Sequence, residues 1–179
     1  MDKKQQLITV ATQLFVERGF ENTPVSLICD TAKVSKGLVF HHFKSKDGLL
    51  RAIFEETTKK VADISSIENI SKDPYQQLRN IIDSLFDQLE IDKTLFQLNL
   101  HLILQPKTRQ LLKDLIDQRS SYILNHVKHI YSVIDSKNAT IKSYMFIAEL
   151  DGIALNYLTI FEDYPLQEIK QQLLAKYTK

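Results

Sequence analysis

The sequence predicts an all-α fold, and three observations support it. Only four glycines and four prolines occur among the 179 residues, which leaves little material for the turns of a β-fold. Apolar residues recur through most of the chain at the three- and four-residue spacing of amphipathic helices. A chain of this length can also bury a sizeable core, so its single cysteine, which excludes an internal disulfide, does not limit stability.

The first part of the chain is predicted to form three short helices and the start of a fourth. The first helix ends at Gly19, in the manner of a C-terminal glycine cap. Thr23 is the predicted N-cap of the second helix, with Pro24 in the first helical position that proline favours. Ser35 caps the third helix and Ser45 caps the fourth.

The fourth helix marks the predicted boundary between an N-terminal domain, residues 1–46, and a C-terminal helical domain, residues 47–179. About nine helices are expected in all. The later breaks lie at the loop 65–73, Pro106, the turn 135–138 and the pair Tyr164-Pro165. Between two of these breaks, residues 108–134 are expected to form one long helix.

One segment gives a conflicting pattern. Leu98, Leu100, Leu102 and Leu104 alternate with other residues at the period of a strand. No other strand candidate is present to pair with this segment, and a lone strand leaves its backbone hydrogen-bonding groups unsatisfied. We therefore expect a short buried helix that ends before Pro106.

The segment from Ile141 to Phe161 carries apolar residues on two helix faces. A monomer of this size usually buries only one face of a helix, so the second face predicts a homodimer interface. The alternative is a central helix that is buried within a single chain. The residues expected in the interface are Ile153, Tyr157, Ile160, Leu166, Ile169 and Leu173.

Residues 23–46 have the layout of a helix-turn-helix, in which two short helices flank a tight turn and the second enters the DNA major groove. The turn falls at residues 33–35. Ser35 and Lys36 would bring a hydroxyl, a cation and free backbone N–H groups to the phosphates. Gly37 has no side chain, which would let the backbone approach DNA closely at this position.

These residues resemble the N-terminal signature of the tetracycline-repressor (TetR) family of transcriptional regulators. The matching positions are Phe15, Gly19, Phe20, Thr23, Val25, Ile28, Ala32, Val34, Ser35, Gly37, Phe43 and Lys46. The resemblance implies a homodimer that binds a double-stranded, pseudo-palindromic DNA operator, most often as a repressor. It also implies a small-molecule effector that binds the C-terminal domain and releases DNA by a population shift.

The resemblance assigns a set of DNA contacts. These are Thr23, Ser35, Lys36, Gly37, Phe40, His41 and Lys46, the last as a phosphate contact from the start of a helix. Four positions depart from the family pattern. Pro24 stands for Thr or Ser, Cys29 for Ala and Lys33 for the turn glycine. Phe40 replaces a tyrosine and lacks the hydroxyl with which that tyrosine contacts phosphate.

The C-terminal domain has more bulky apolar residues than are needed to fill a core. This surplus predicts a cavity for a hydrophobic or amphipathic effector. The residues expected to line it are Phe54, Phe96, Leu100, His101, Tyr122, Met145 and Glu149. No cofactor and no enzymatic activity are expected. No stretch of about 18 uncharged apolar residues occurs and no signal-peptide pattern opens the chain, so a cytoplasmic location without a membrane span is expected.

Two other classes of function remain open. A helical enzyme or metal-binding protein would use His101, His126, His129 and Glu149, although no phosphate loop, nucleophile motif or paired metal motif accompanies them. A helical interaction module that lacks DNA binding is favoured by Phe40 and by the nearly neutral charge. Residues 1–50 hold seven basic and five acidic side chains, so DNA binding depends on their placement.

Overall fold

The computed structural model describes residues 2–68 and 72–178, with side chains for 2–59 and 72–178. Over these residues the chain forms ten α-helices, one π turn and no strand, which confirms the all-α prediction. The helices are α1 (Lys3–Arg18), α2 (Val25–Ala32), α3 (Lys36–Phe43), α4 (Lys46–Glu68), α5 (Pro74–Ile91), α6 (Lys93–Leu104), α7 (Pro106–Leu111), α8 (Lys113–Ile134), α9 (Ala139–Leu155) and α10 (Leu166–Tyr177). The π turn is Asn156–Ile160.

The chain divides into two compact units. The first unit comprises Met1–Thr58 and Thr94–Ile116, and the second comprises Lys59–Lys93 and Asp117–Lys179. The first unit therefore joins α6, α7 and the first residues of α4 and α8 to the three N-terminal helices. The division expected from the sequence, with an N-terminal domain over residues 1–46 and a C-terminal domain over residues 47–179, stays a prediction.

Helix caps account for several of the boundaries. Gly19 ends α1 with a φ of 78°, a conformation that glycine adopts without steric cost. The Ser35 hydroxyl accepts from the Leu38 N–H at 3.3 Å and opens α3. The Ser45 hydroxyl accepts from the Gly48 N–H at 2.9 Å. Asp73 caps α5 by accepting from the Tyr75 N–H at 3.1 Å, as predicted.

Three predicted boundaries are wrong. Pro24 rather than Thr23 is the N-cap residue of α2, and it offers no side-chain hydrogen bond. Helix α4 runs through Glu68, so the first residues of the expected loop 65–73 are helical, and residues 69–71 lie outside the described residues. The long helix expected over 108–134 is split at the buried Leu112, where neither glycine nor proline marks the break.

A hydrophobic core fills the first unit. The rings of Phe15 and Phe20 meet edge to face with their centroids 5.2 Å apart. Helix α6 adds Leu95, Leu98 and Leu102, which lie on one helix face and are buried. The segment with the alternating leucines is therefore a helix, as predicted. Of these leucines, Leu98 and Leu102 reach the core, because their spacing places them on the same helix face.

In the second unit α5 packs against α10. Lys170 Nζ lies 3.0 Å from a carboxylate oxygen of Asp83 and 3.1 Å from one of Asp87. Glu149 on α9 accepts hydrogen bonds from Lys176 Nζ at 2.6 Å and from the Tyr177 hydroxyl at 2.5 Å. Desolvation raises the pKa of Glu149, but these hydrogen bonds outweigh it and the net pKa is lowered.

Helix α9 ends in a π turn and does not continue to Phe161 as a regular α-helix. The Phe161 N–H donates to the Asn156 carbonyl oxygen at 3.1 Å, five residues back. The Phe161 ring then stacks on Tyr164, with their centroids 5.9 Å apart. This stacked aromatic pair lies in the segment that connects the π turn to α10.

Within the described parts of the chain, no helix combines the length and the apolar character needed to cross a membrane.

Candidate nucleic-acid interface

Helices α2 and α3 form a helix-turn-helix. The turn between them is made by Lys33, which adopts the left-handed conformation with φ 52° and ψ 50°. The Val34 N–H donates to the Cys29 carbonyl oxygen at 3.0 Å and closes the turn. Lys33 therefore takes the conformation that the family's glycine would provide, and a side chain with a Cβ pays about 1–2 kcal/mol for it.

Helix α3 has a buried face and an exposed face. Val39 and Phe43 point into the core of the first unit and are almost completely buried. The exposed residues are Lys36, Gly37, Phe40 and His41 in the helix and Lys44, the C-cap residue just after its end. Their spacing of one, three, one and three residues places them on one side of a helix. This side, the α3 face, presents two lysines and a histidine to solvent.

Local contacts order the α3 face. A Cβ added to Gly37 would meet only the Ser35 hydroxyl, at 3.9 Å, so the surface beside Gly37 is open. Lys36 Nζ lies 5.8 Å from the centroid of the Phe40 ring. Lys44 Nζ donates to the His41 carbonyl oxygen at 3.4 Å. The face thus combines cations with an open backbone stretch, which suits contact with a phosphate backbone.

The structure turns Lys46 inward. Its Nζ donates to the carbonyl oxygens of Phe20 at 2.8 Å, Thr23 at 3.1 Å and Glu21 at 3.3 Å. It also lies 4.4 Å from the centroid of the Phe20 ring. An ammonium group has three donor hydrogens, so these carbonyls occupy all of them. We therefore correct the predicted phosphate contact: Lys46 fastens the loop between α1 and α2 to the start of α4.

Thr23 also belongs to the interior and not to the DNA surface. It is 0% exposed, and its hydroxyl donates to the Gly19 carbonyl oxygen at 2.8 Å and lies 3.3 Å from that of Leu14. The predicted DNA contact and the predicted helix cap are both wrong for this residue. Burial of a hydroxyl requires such hydrogen bonds, and here they hold the end of α1 together.

Two ion pairs connect the helix-turn-helix region with α7 and α8 within the first unit. Lys107 Nζ lies 2.7 Å from a Glu21 carboxylate oxygen, and this hydrogen bond lowers the pKa of Glu21. Arg51 donates to both Asp114 carboxylate oxygens, at 2.8 and 2.6 Å, and to the Leu111 carbonyl oxygen at 3.0 Å. The Arg51 hydrogen bond lowers the pKa of Asp114 to about 2.

Sequence reasoning missed Gly48 and Lys44. A Cβ on Gly48 would overlap the Phe43 carbonyl oxygen, so only glycine lets α4 start so close to the end of α3. Lys44 lies eight residues after Lys36, a helical spacing that would have placed it on the α3 face. Both residues line a shallow cavity of about 290 Å³, together with Lys4, His42, Phe43, Arg51, Ala52 and Glu55.

The predicted effector residues fall in both units. Phe54 is fully buried in the core of the first unit, Phe96 and Leu100 are half-buried there, and His101 is exposed. In the second unit Tyr122 and Met145 are exposed and Glu149 is bound to α10. Phe54 is therefore a core residue by its burial. The effector site itself stays a prediction.

The predicted dimer residues divide by burial. Ile153, Leu166 and Leu173 are buried within the second unit, Tyr157 and Ile169 are half-buried, and Ile160 is exposed. Lys93 Nζ lies 4.8 Å from the centroid of the Tyr157 ring. The buried members already pack inside the chain, so we correct their assignment: they are not available to a partner.

The histidines that suggested a metal site are not clustered with other ligands. His126 stacks on Tyr122 with ring centroids 6.5 Å apart. Among the described residues, no group of three His, Cys, Asp or Glu side chains is placed to hold a metal ion.

Comparison with known proteins supports the family resemblance over the N-terminal helices. Residues 7–53 match the model of the bacterial regulatory proteins of the tetR family. A transcriptional regulator of the TerR/AcrR family from Aquifex aeolicus VF5 has the same fold over 98% of this chain and 97% of its own, with 26% identity and a TM-score of 0.76. Over residues 7–53 the chain therefore matches the tetR family.

Two further similarities accompany this match. The HTH-type transcriptional regulator BetI of Stenotrophomonas maltophilia (strain R551-3) is 33% identical over 94 residues, 51% of this chain and 48% of BetI. The match thus spans about half the length of that relative. The transcriptional regulator FadR from Bacillus subtilis, solved with stearoyl-CoA, is 20% identical, and the similarity covers 98% of this chain and 97% of FadR with a TM-score of 0.80. The second similarity shows the fold alone.

Proposed function

We propose that this TetR-family chain is a homodimeric transcriptional regulator that binds DNA through the α3 face and responds to a small molecule. The observation that carries the proposal is the α3 face itself. Its buried side fixes the helix to the core, and its exposed side offers Lys36, Lys44 and His41. A helix fixed in this way, with cations on its exposed side, is typical of a recognition helix and favours DNA binding over an enzyme or an interaction module.

Two α3 helices related by a twofold axis would enter successive major grooves, about 34–36 Å apart. Ser35, Lys36 and Gly37 lie at the start of the helix, where backbone N–H groups and cations meet phosphates. Phe40 and His41 follow on the same face. Thr23 and Lys46 hold this arrangement together from the interior.

The apolar surface for dimerisation lies on α9. Ile141, Tyr144, Met145 and Leu155 are large apolar residues that are exposed on one side of this helix, and Ala148 lies between them. Ile160 and Phe161 at the end of the π turn are also exposed. Such a contiguous apolar surface is costly in a monomer and is typical of an interface with another copy. We call it the α9 face.

The proposed effector is hydrophobic or amphipathic. The apolar character of the C-terminal helices favours this class, and the stearoyl-CoA of the structurally similar FadR makes acyl-CoA thioesters the first compounds to test. An effector that nearly completes the switch must bind the two states with affinities that differ by about 10⁴-fold. We propose repression as the default mode, with release of DNA on effector binding.

Selection of bound DNA from a random pool tests the DNA-binding proposal. We expect a pseudo-palindromic site whose affinity falls steeply with salt. Lys36→Met should reduce the slope of log affinity against log salt by about 1, because one phosphate contact is lost. Lys137→Met, in the turn before α9, is the control and should leave the slope unchanged. Failure to enrich any site would overturn the proposal.

Sedimentation equilibrium tests the dimer. Met145→Glu combined with Leu155→Glu should convert the dimer to a folded monomer, because the twofold axis would bring like charges together on an apolar surface. Tyr75→Glu changes an exposed aromatic residue outside the α9 face and should leave the dimer intact. A wild-type monomer at micromolar concentration would contradict the proposal.

A thermal-shift series tests the effector. Palmitoyl-CoA and stearoyl-CoA should stabilise the free protein more than the operator-bound protein, since ligand and operator weaken each other by the same factor. Leu100→Trp should abolish the shift by filling the predicted cavity, whereas Leu104→Trp, at an exposed position of the same helix, should not. Equal stabilisation of free and bound protein would refute effector control by these compounds.

A further inference from the structure

Phe40 is the one large apolar side chain on the α3 face. It is 41% exposed, whereas the other exposed residues of this face are cationic, a histidine or glycine. The apolar residues of α3 that support the fold, Val39 and Phe43, point the other way and are buried. About two fifths of the Phe40 surface stays exposed to water, so the fold leaves part of this apolar side chain uncovered.

The surroundings of Phe40 place its ring toward the N-terminal half of α3. Side chains in helices lean toward the N-terminus and cover the preceding turn. Lys36, one turn earlier, has its Nζ 5.8 Å from the ring centroid, and Gly37 leaves the adjacent surface without a side chain. The N-terminal residues of a recognition helix are those that meet base edges, so the ring lies where bases are read.

The chemistry of the ring restricts what it can recognise there. Phenylalanine has no hydroxyl, so it cannot donate a hydrogen bond to a phosphate oxygen, the contact that a tyrosine would make. Among base-edge groups in the major groove, the C5-methyl group of thymine is the apolar one, and phenylalanine is among the side chains that contact it. The nearby Lys36 cation is then free to meet the neighbouring phosphate.

We propose that Phe40 is a specificity-determining residue that packs against the methyl group of a thymine at one position of each operator half-site. The inference rests on the proposed DNA-binding function and adds a sequence preference to it. A cytosine at that position would present an amino donor to the ring in place of a methyl group, so the position discriminates against C·G as well as against a purine on that strand.

The test uses the site recovered by selection, with each thymine replaced in turn by deoxyuridine, which lacks only the methyl group. We expect one thymine position in each half-site at which the replacement weakens binding of the full-length wild-type protein about fourfold, the value of one buried methyl group. Replacement in both half-sites should weaken binding about 15-fold. All other positions should change little.

Variants then assign the effect to Phe40. Phe40→Ala should bind the thymine and deoxyuridine sites equally, whereas Tyr75→Ala, which truncates an exposed aromatic residue of α5, should keep the discrimination. If Phe40→Ala does not fold, Phe40→Gln takes its place, because it removes the apolar ring and should likewise bind the thymine and deoxyuridine sites equally. Phe40→Tyr is expected to keep the methyl effect because the ring is retained.

Three outcomes would overturn the inference. They are insensitivity of the wild-type protein to every methyl deletion, an unchanged methyl effect in Phe40→Ala, and tighter binding of Phe40→Tyr to all sequences with no methyl effect in the wild type. The last outcome would place the ring against a phosphate. Failure of the selection to enrich any site would instead refute DNA binding itself, so the two failures are distinguishable.

Discussion

The α3 face and the α9 face use exposed residues in opposite ways. On α3 the apolar residues point inward and the exposed side is mainly polar, with a single phenylalanine. On α9 apolar residues occur on both sides, and Ile141, Met145 and Leu155 stay exposed. The first pattern suits a charged ligand that dissociates, and the second suits a permanent partner that removes apolar surface from water.

The comparison also shows which features of the chain the family signature describes and which it does not describe. Phe15, Phe20, Ile28 and Phe43 are signature positions and all are buried. Lys46, a charged signature position, is hydrogen-bonded to the interior as well. The signature therefore describes mainly how the helix-turn-helix is held. Phe40, the residue that we propose to determine specificity, lies where the chain departs from the signature.

The largest expected effect distinguishes a core residue from an exposed one. Phe54→Ala should lower the free energy of unfolding by about 3–5 kcal/mol, because the residue is fully buried. Met145→Ala, on the exposed α9 face, should change the stability of each chain by less than about 0.5 kcal/mol. Urea denaturation at matched protein concentration measures both. Unchanged stability of Phe54→Ala with loss of effector binding would favour the cavity predicted from the sequence.

A medium effect concerns the two lysines near the helix-turn-helix. Lys46→Met should lower the free energy of unfolding by about 2 kcal/mol, since three carbonyl groups lose hydrogen bonds to a charged group. The salt slope of DNA binding should stay the same. Lys36→Met is the matched comparison and should do the reverse. Calorimetry and gel shifts measure the pair, and a reduced salt slope for Lys46→Met would restore the phosphate contact.

A smaller, stabilising effect is expected at the turn. Lys33→Gly should raise the free energy of unfolding by about 0.5 kcal/mol, because relief of the left-handed conformation exceeds the entropy that glycine adds to the unfolded chain. Asp30→Gly, at an exposed helical position of α2, should destabilise instead. Thermal melts of both variants show the sign. A destabilised Lys33→Gly would mean that the lysine side chain contributes contacts in the folded protein.

The smallest effect is in the acid range. Because Arg51 lowers the pKa of Asp114 to about 2 in the folded state, the pair contributes stability above about pH 4 that is lost as the pH falls toward 2. Asp114→Asn should therefore lower the melting temperature slightly at pH 7 and flatten its fall between pH 4 and 2. Asp47→Asn, an exposed aspartate of α4, is the control. Parallel pH curves for Asp114→Asn and wild type would exclude the linkage.

Much of the fold could be predicted from local chemistry. Ser35, Ser45 and Asp73 each cap a helix through a backbone N–H that lies two or three residues away, and such contacts depend on sequence neighbours alone. The fold class and the helix-turn-helix follow from the same kind of local pattern. The break at Leu112 could not be predicted, because neither glycine nor proline marks it and Leu112 is a buried apolar residue that fits a continuous helix equally well.

The candidate site could be predicted only in part. The α3 face follows from helical spacing, and Phe40 and Lys36 lie on it as expected. The inward orientation of Lys46 depends on carbonyl groups 23 to 26 positions earlier in the chain, and no pattern around Lys46 indicates it. Likewise, the sequence shows two apolar faces on α9, but only the packing of the other helices decides which face is left for a partner.

The π turn at the end of α9 changes the direction in which the side chains that follow it point around the helix axis. In a regular α-helix, five residues rotate about 140° beyond one full turn, so Leu155 and Ile160 would point in different directions. In the wider π turn, five residues complete little more than one full turn, so Leu155 and Ile160 point in similar directions. Both side chains are exposed. Deletion of one residue from 156–160 would place Ile160 four residues after Leu155, about 40° beyond one full turn of a regular α-helix. The π turn therefore accommodates one extra residue while Ile160 stays in line with the α9 face.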